Sequence, residues 1–333
     1  MRIREVELFE VEAEAIAAVQ RNRPLYNILL CRIRTDEGID GIGELQGRPV
    51  PLRREADALV GADPLALDPH AQPDPFACAL LDIAGRAFGI PLHRFFGAKV
   101  RDRVPVSYWS APMEPRETAA EAEVGARLGF TTHKLKARTW NIVETVRLMR
   151  ESAGPDYLVG IDPNMQFRYP YVAARLASEL EPFGTVANFE NPILKHHLDW
   201  YRLLREKTSI PIAMHLHEPG DLMAALKAEC CDQFNLSGRP QLVLRTAALA
   251  EAADIPVWTQ IGGLCLGVLA AYSVQAQATI PNATLPCDEL PFIRANDFVG
   301  GGLVVEKGHF LVPEGPGLGV ELDMEMVERC RVA

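Results

Sequence analysis

The second part of the sequence, from Val104 onward, alternates short apolar runs with amphipathic segments. The runs have the length of buried strands, and the segments between them carry apolar residues at helical spacing. Eight such runs occur, at residues 104–110, 132–137, 157–161, 186–189, 210–216, 233–236, 255–259 and 284–287. Alternating strands and helices form parallel sheets, and eight strands are enough to close a (β/α)8 TIM barrel. A doubly wound sheet would instead need a glycine-rich loop after its first strand, and residues 108–112 contain no glycine.

The first hundred residues follow a different pattern. Two strand-like runs, residues 3–11 and 26–35, precede the turn Asp36-Glu37-Gly38 and a third run at residues 39–45, which is typical of an antiparallel meander. A helix is predicted over residues 75–88, with Asp74 as its N-cap and Gly89 at its end. We therefore predict an α+β domain over residues 1–103 and a barrel over residues 104–311.

Composition limits the class of partner. The 333 residues carry a formal net charge of −10, and the sequence pI is about 5.4. Nucleic acid and anionic membranes attract basic surfaces, so neither is expected as the partner. The N-terminus lacks the apolar region of a signal peptide, and the most apolar stretch, residues 261–274, is too short to span a bilayer. These features predict a cytoplasmic protein that acts on a small molecule, and symmetric self-assembly is common for such enzymes.

Polar motifs lie where three neighbouring barrel strands are predicted to end: Lys134-Leu135-Lys136, Asp162-Pro163-Asn164 and Glu190-Asn191-Pro192. The C-terminal ends of barrel strands meet at one mouth, so these side chains are expected to converge. Lysines two apart on a strand share a face, so one can bind a carboxylate while the other acts as a base. Asp162 and Glu190 are candidate ligands of Mg²⁺, which prefers carboxylate oxygens.

Three further segments resemble a known family. Residues 78–91 (Cys-Ala-Leu-Leu-Asp-Ile-Ala-Gly-Arg-Ala-Phe-Gly-Ile-Pro) and the segment from Phe96 to Val106 look like the join between capping domain and barrel in the enolase superfamily. They resemble its mandelate racemase and muconate lactonizing enzyme group in particular. Residues 312–320 (Val-Pro-Glu-Gly-Pro-Gly-Leu-Gly-Val) resemble the family's return segment, so residues 312–333 are expected to rejoin the first domain.

This resemblance implies an N-terminal α+β cap over a modified TIM barrel, a divalent metal, and removal of a proton next to a substrate carboxylate. It implies that Lys136 is the base, that Lys134 is its cationic neighbour, and that Asn164 is a polar group beside the metal. Such a proton is weakly acidic, so its removal needs both a positioned base and a cation that stabilises the developing negative charge.

The fifth strand departs from this family pattern, because its end, Met214-His215-Leu216-His217, contains no acid. An ungapped alignment places Leu216 where the third metal carboxylate is expected, and a shift of one residue places His215 there. His217 is the alternative ligand, and a structural role for both imidazoles stays open. Magnesium is the expected metal, although an imidazole ligand would favour Mn²⁺, Zn²⁺, Ni²⁺ or Fe²⁺.

The later strands offer candidates for substrate binding rather than a second base. Ser237 ends the sixth run, where the family often has a lysine or an aspartate. Further candidates are Thr259 and Gln260 on the seventh strand, Asp288 and Glu289 on the eighth, and Arg21, Arg23 and Arg48 in loops of the first domain. Guanidinium groups in those loops suit the carboxylate of a substrate.

Three hypotheses remain at this point. A syn elimination can run with one base, whereas racemisation commonly needs a base on each face of the substrate. The missing second base therefore favours dehydration of an acid sugar or hydroxy acid. A racemase, epimerase or cycloisomerase of the same group is the first alternative, and a binding protein that has lost its catalytic function is the second.

Overall fold

The computed structural model describes residues 1–16, 27–45, 51–138, 140–293 and 295–332. Its first part contains a three-stranded antiparallel sheet in the order β1 (Ile3–Glu12), β2 (Asn27–Thr35) and β3 (Gly41–Leu45). Residues 28–31 of β2 are all apolar and buried, and alternate ones belong to two different apolar clusters, so both faces of the sheet are covered at this strand. The meander predicted from the sequence is therefore confirmed.

Two helices cover this sheet, α1 (Arg53–Leu59) and α2 (Phe76–Phe88). A Cβ on Gly41 would lie 2.1 Å from the carbonyl oxygen of Ala79, so glycine permits the close contact between α2 and β3. Gly89 ends α2 in the left-handed conformation, as predicted. The prediction that Asp74 is the N-cap is wrong, because Pro75 holds that position. The carboxylate of Asp74 instead lies 3.3 Å from the guanidinium of Arg239.

The second part is a barrel of parallel strands. Seven strands are hydrogen-bonded in chain order: β5 (Tyr108–Ser110), β6 (Thr132–Lys136), β7 (Leu158–Asp162), β8 (Val186–Glu190), β9 (Ile212–Leu216), β10 (Gln233–Leu236) and β11 (Val257–Thr259). The predicted (β/α)8 fold is confirmed. The first predicted run is divided, because β4 (Arg103–Pro105) pairs with the later strand β14 (His309–Leu311) rather than with the barrel.

An irregular segment completes the ring where the eighth strand was predicted. The backbone N–H of Cys287 donates to Pro105 (2.8 Å), and that of Asp288 donates to Thr259 (3.1 Å). The segment therefore links β11 to the start of β5, although it forms only an isolated bridge. This ring places β6 and β10 on opposite sides of the barrel.

In the part of the chain that the structure describes, seven helices form the outer layer: α3 (Pro115–Arg127), α4 (Ile142–Ala153), α5 (Pro170–Leu180), α6 (Leu198–Arg205), α7 (Pro219–Lys227), α8 (Pro240–Glu251) and α9 (Val268–Gln277). Buried residues of α3 to α8 and the outward-facing residues of the strands form one apolar core, whereas most of α9 packs in a second cluster with the first domain. Strand alternation thus sends every second side chain into this core and the intervening ones into the barrel.

The C-terminal part contains β12 (Val299–Gly301), β13 (Val305–Glu306), β14, β15 (Val320–Leu322) and α10 (Met324–Arg329). Its end lies against the first domain, since the N–H of Glu12 donates to the carbonyl of Cys330 (2.9 Å). The buried carboxylate of Asp82 accepts from the N–H of Ile42 (3.1 Å) and of Leu318 (2.8 Å). No helix within the described ranges is long and apolar enough to cross a membrane.

A buried carboxylate also joins the first sheet to the barrel. Glu44 on β3 is fully buried and accepts from the N–H groups of Leu266 (2.6 Å) and Leu269 (3.0 Å), where α9 begins. Free N–H groups at a helix N-terminus favour an acceptor with negative charge. Glu44 therefore holds the first domain over the barrel helix that follows β11.

We expect Glu44→Ala to lower the free energy of unfolding by about 3 kcal/mol, because two buried N–H groups lose a charged acceptor. Urea unfolding followed by circular dichroism measures the change. Glu44→Gln is the matched control: it keeps one acceptor oxygen and should lose about half as much. Equal losses in the two variants would contradict this role.

Candidate active site

Both lysines of β6 point into the barrel mouth, while Leu135 between them belongs to the outer core. The ammonium nitrogen of Lys134 lies 2.6 Å from Glu190 Oε2, 2.6 Å from Asp288 Oδ2 and 3.6 Å from Asp162 Oδ2. Lys136 forms an ion pair with Asp162 Oδ2. The lysines therefore share one site with three carboxylates, which are contributed by β7, β8 and the irregular eighth segment.

Burial and charge act in opposite directions on these groups. Burial lowers the pKa of Lys134, but the carboxylates of Asp288, Glu190 and Asp162 raise it further, above its usual range. Burial raises the pKa of Asp162, yet the two lysines hold it below its usual range. The pKa of Glu190 is raised, because burial and the neighbouring acids outweigh Lys134. Lys134 is thus held firmly in its charged form.

His215, not Leu216, faces the interior from β9. Leu216 packs in the outer apolar core, so it does not occupy the place of a metal ligand. The imidazole of His215 places Nδ1 3.7 Å from Glu190 Oε1, and Nε2 lies 2.6 Å from Ser237 Oγ. Burial and nearby lysines lower the pKa of His215 to about 3, so the ring is neutral and has a lone pair available.

His217 lies further toward the rim and is exposed. Its Nδ1 is 2.8 Å from Ser237 Oγ, so one hydroxyl lies between two imidazoles. The rings of His215 and His217 are 4.8 Å apart. Of the two imidazoles, His215 is therefore the one near Glu190.

Two functional candidates were missed in the sequence, Asn235 and Trp258. Asn235 Nδ2 donates to Glu190 Oε1 and Gln260 Oε1, both at 2.9 Å, and Trp258 Nε1 donates to Asp288 Oδ2 at 2.9 Å. Both residues are buried, and Asn235 pairs in register with Trp258 on one side and with His215 on the other. The available signal was a polar or amphipathic residue between apolar neighbours on a predicted strand.

The structure contradicts the assignment of Thr259 and Glu289 to substrate binding. Thr259 lies in register with Leu216 and Leu236 on the outer face, and its hydroxyl bonds to Gln277 of α9. The carboxylate of Glu289 accepts from three successive N–H groups, residues 261–263, and from Ser273 Oγ (2.6 Å). Burial raises the pKa of Glu289 to about 8. Thr259 therefore binds β11 to α9, and Glu289 binds the eighth segment to α9 and to the loop before it.

The remaining candidates divide into three groups. Gln260 lies at the mouth through its bond to Asn235. Asn164 is exposed. Its backbone N–H donates to Asp162 Oδ1 (2.9 Å) and so orients that carboxylate independently of the Asn164 side chain. Arg21, Arg23 and Arg48 lie outside the described residues.

The donor groups fit a divalent cation. Asp162, Glu190 and Asp288 carry three negative charges against the two of Lys134 and Lys136, which leaves a buried net charge of about −1 when His215 is neutral. The buried oxygen Oδ1 of Asn235 has no hydrogen-bond partner. No three His, Cys, Asp or Glu side chains form a preformed cluster within the described ranges. The ammonium of Lys134 lies between the carboxylates of Glu190 and Asp288.

Residues 117–326 match the family model described as "Enolase C-terminal domain-like". The matched region is more than half of the chain. The chain belongs to the enolase superfamily. This enolase-superfamily membership confirms the resemblance seen in the sequence, and with it the capped barrel.

Curated relatives of this enolase-superfamily chain include enzymes of two kinds. It is 26% identical to a D-galactonate dehydratase of Pectobacterium atrosepticum, over 92% of this chain and 91% of the relative. It is 29% identical to a D-Ala-D/L-Ala epimerase of Cytophaga hutchinsonii, over 73% and 68%. An N-succinyl Arg/Lys racemase from Bacillus cereus shares the fold, with a TM-score of 0.85 and 19% identity over 100% of this chain and 99% of that one.

We expect Glu190→Gln and His215→Ala to lose a bound divalent metal, whereas His217→Ala keeps it. The reason is that His215 Nδ1 faces Glu190, while His217 contacts Ser237 near the rim. Metal content after loading with Mg²⁺, Mn²⁺ or Zn²⁺ and desalting measures the stoichiometry. Loss in His217→Ala with retention in His215→Ala would reverse the assignment.

Proposed function

We propose that this protein abstracts the proton α to a carboxylate in a metal-dependent reaction and dehydrates an acid sugar or related hydroxy acid. One observation supports this above all: two lysines from one strand enter the same mouth as the carboxylates of Asp162 and Glu190. The substrate is expected to be a small carboxylate, since an internal ammonium and a divalent cation can both bind one.

The ligands of the metal would be Asp162, Glu190 and His215. When bound, the divalent cation supplies positive charge beside the substrate carboxylate and so stabilises the negative charge that develops there. Asn235 donates to Glu190 and therefore orients that carboxylate. The imidazole makes Mn²⁺, Zn²⁺, Ni²⁺ or Fe²⁺ suitable as well as Mg²⁺.

Lys136 is the proposed base. Its amine lies at the rim end of β6 beside Asp162, less buried than Lys134, where a substrate entering from the mouth can reach it. The amine takes the α-proton, and the resulting ammonium gives a proton to the β-hydroxyl, which leaves as water. The enol that remains becomes a 2-keto acid, so one group serves both steps.

Lys134 and Asp288 form a buried ion pair beside the carboxylate of Glu190. Asp288 is held by Trp258, and Lys134 is held by Asp288. The ammonium can therefore donate to the substrate carboxylate without moving far, which lowers the cost of orienting it. Gln260 is the neighbouring amide that can bind a substrate hydroxyl.

The side opposite Lys136 favours a lyase over an isomerase. On β10 and β11 the groups directed to the interior include Asn235 and Trp258, and neither is a base near neutral pH. A dehydration with one base is compatible with that arrangement. The relatives named D-galactonate dehydratase and D-xylonate dehydratase support the same choice, at 26–28% identity.

We expect Lys136→Ala to lower the turnover of an acid sugar at least about 10³-fold, because the base is lost. The assay follows 2-keto acid release from a panel of acid sugars with each divalent metal. Lys207→Ala, which removes an exposed lysine, is the control and should keep its turnover. An active Lys136→Ala variant would contradict the assignment, and no turnover of any acid sugar by the wild type would count against dehydration.

An isomerase is the second candidate, because His217 is an exposed imidazole at the rim after β9 and one relative is an epimerase. For the dehydratase we expect His217→Ala to lower turnover less than about tenfold, since Lys136 serves both steps.

In D₂O an isomerase would place deuterium at the α-carbon of recovered substrate without elimination. His217→Ala would then abolish exchange from one stereoisomer only.

A further inference from the structure

Lys134 is the most enclosed charged group of the site. Its side chain is 7% exposed, and the carboxylates of Asp162, Glu190 and Asp288 around it are each 3% exposed. Buried carboxylates that lack a cation are strongly unfavourable. The ammonium therefore neutralises acids that include both proposed carboxylate ligands of the metal.

The ammonium and a divalent cation would compete for the same oxygens. Glu190 Oε2 accepts from Lys134 at 2.6 Å, and Asp162 Oδ2 lies 3.6 Å from the same nitrogen while it pairs with Lys136. Glu190 Oε1 accepts from Asn235. A divalent cation held by Asp162 and Glu190 would therefore compete with Lys134 for these carboxylates.

Lys134 has a second partner and space beside it. Asp288 binds Lys134 at 2.6 Å and is itself held by Trp258 at 2.9 Å. A cavity of about 210 Å³ adjoins Lys134, Glu190 and Asp288 and extends toward Thr132 and Gln233, at the starts of β6 and β10. Such a volume is large enough for several waters.

We infer that Lys134 is an internal substitute for the metal, which holds the carboxylates in the metal-free protein and moves to Asp288 alone when a divalent cation binds. This rests on the proposed function, in that a divalent cation belongs to this site. The lysine then has two roles. It neutralises the carboxylates in the metal-free protein, and after displacement its ammonium can bind the substrate carboxylate.

Two measurable consequences follow. Removal of the ammonium should destabilise the metal-free protein, because buried acids lose their counter-ion. It should also tighten metal binding, because the competing cation is gone. A lysine that only binds substrate would produce neither the large loss of metal-free stability nor its recovery on metal addition.

The test compares chelator-treated wild type with Lys134→Met, which keeps the side-chain length and removes the charge. We expect the melting temperature of the metal-free variant to fall by about 10 °C and to recover most of that loss with saturating Mn²⁺. Mn²⁺ titration followed by electron paramagnetic resonance should give at least about tenfold tighter binding than in the wild type.

Lys195→Met is the matched control for charge. Lys195 lies in the loop after β8, and its Nζ donates to the carbonyl of His215 (2.8 Å) rather than to the carboxylates. The same loss of charge there should change Mn²⁺ affinity about threefold or less, and Mn²⁺ should raise its melting temperature no more than it raises that of the wild type.

Two outcomes overturn the inference. One is a metal-free Lys134→Met protein as stable as the wild type, or a gain in affinity no larger than that of Lys195→Met. The other is no Mn²⁺ or Zn²⁺ binding by any variant. If Lys134→Met does not fold, Lys134→Gln gives the same comparison. The turnover assay of Lys136→Ala tests proton abstraction separately. A negative result for Lys134 therefore does not decide whether Lys136 is the base.

Discussion

The arrangement of charge inside the barrel depends on one ammonium group among three carboxylates. Lys134 contacts acids from β8 and from the irregular eighth segment, and it lies near the acid of β7. Each acid is buried, so none could stay ionised at that depth without a cation. The same contacts orient Glu190 and Asp288 toward the centre, which is where a substrate carboxylate and a metal would have to be held.

Strand alternation decides which residues share this centre. His215, Asn235 and Trp258 occupy one level of the interior, and Leu216, Leu236 and Thr259 occupy one level outside it. A shift of one residue would exchange the two sets and put apolar groups against the carboxylates. The apolar contacts of the outer layer therefore fix the register on which the polar interior depends.

Strand register explains which site residues could be predicted from the sequence and which could not. Lys134, Lys136, Asp162 and Glu190 follow from their places at strand ends, since any register within a barrel brings such ends together. The choice between His215 and Leu216 required the register itself. Thr259 was assigned wrongly because it follows the last inward-facing residue of its short strand, so its side chain points outward. Glu289 was assigned wrongly because its buried carboxylate accepts from backbone N–H groups of a loop, and a sequence does not show which backbone groups need an acceptor.

The lost acid of the fifth strand has an electrostatic counterpart on the eighth. The family pattern expects a third carboxylate where this chain has the neutral imidazole of His215, yet Asp288 brings the number of acids around Lys134 back to three. The site therefore contains three carboxylates although the fifth strand contributes an imidazole. Trp258 and Lys134 both bind Asp288, so the charge of this acid lies beside the lysine. The imidazole of His215 faces Glu190 instead, so each of these two acids has its own partner from another strand.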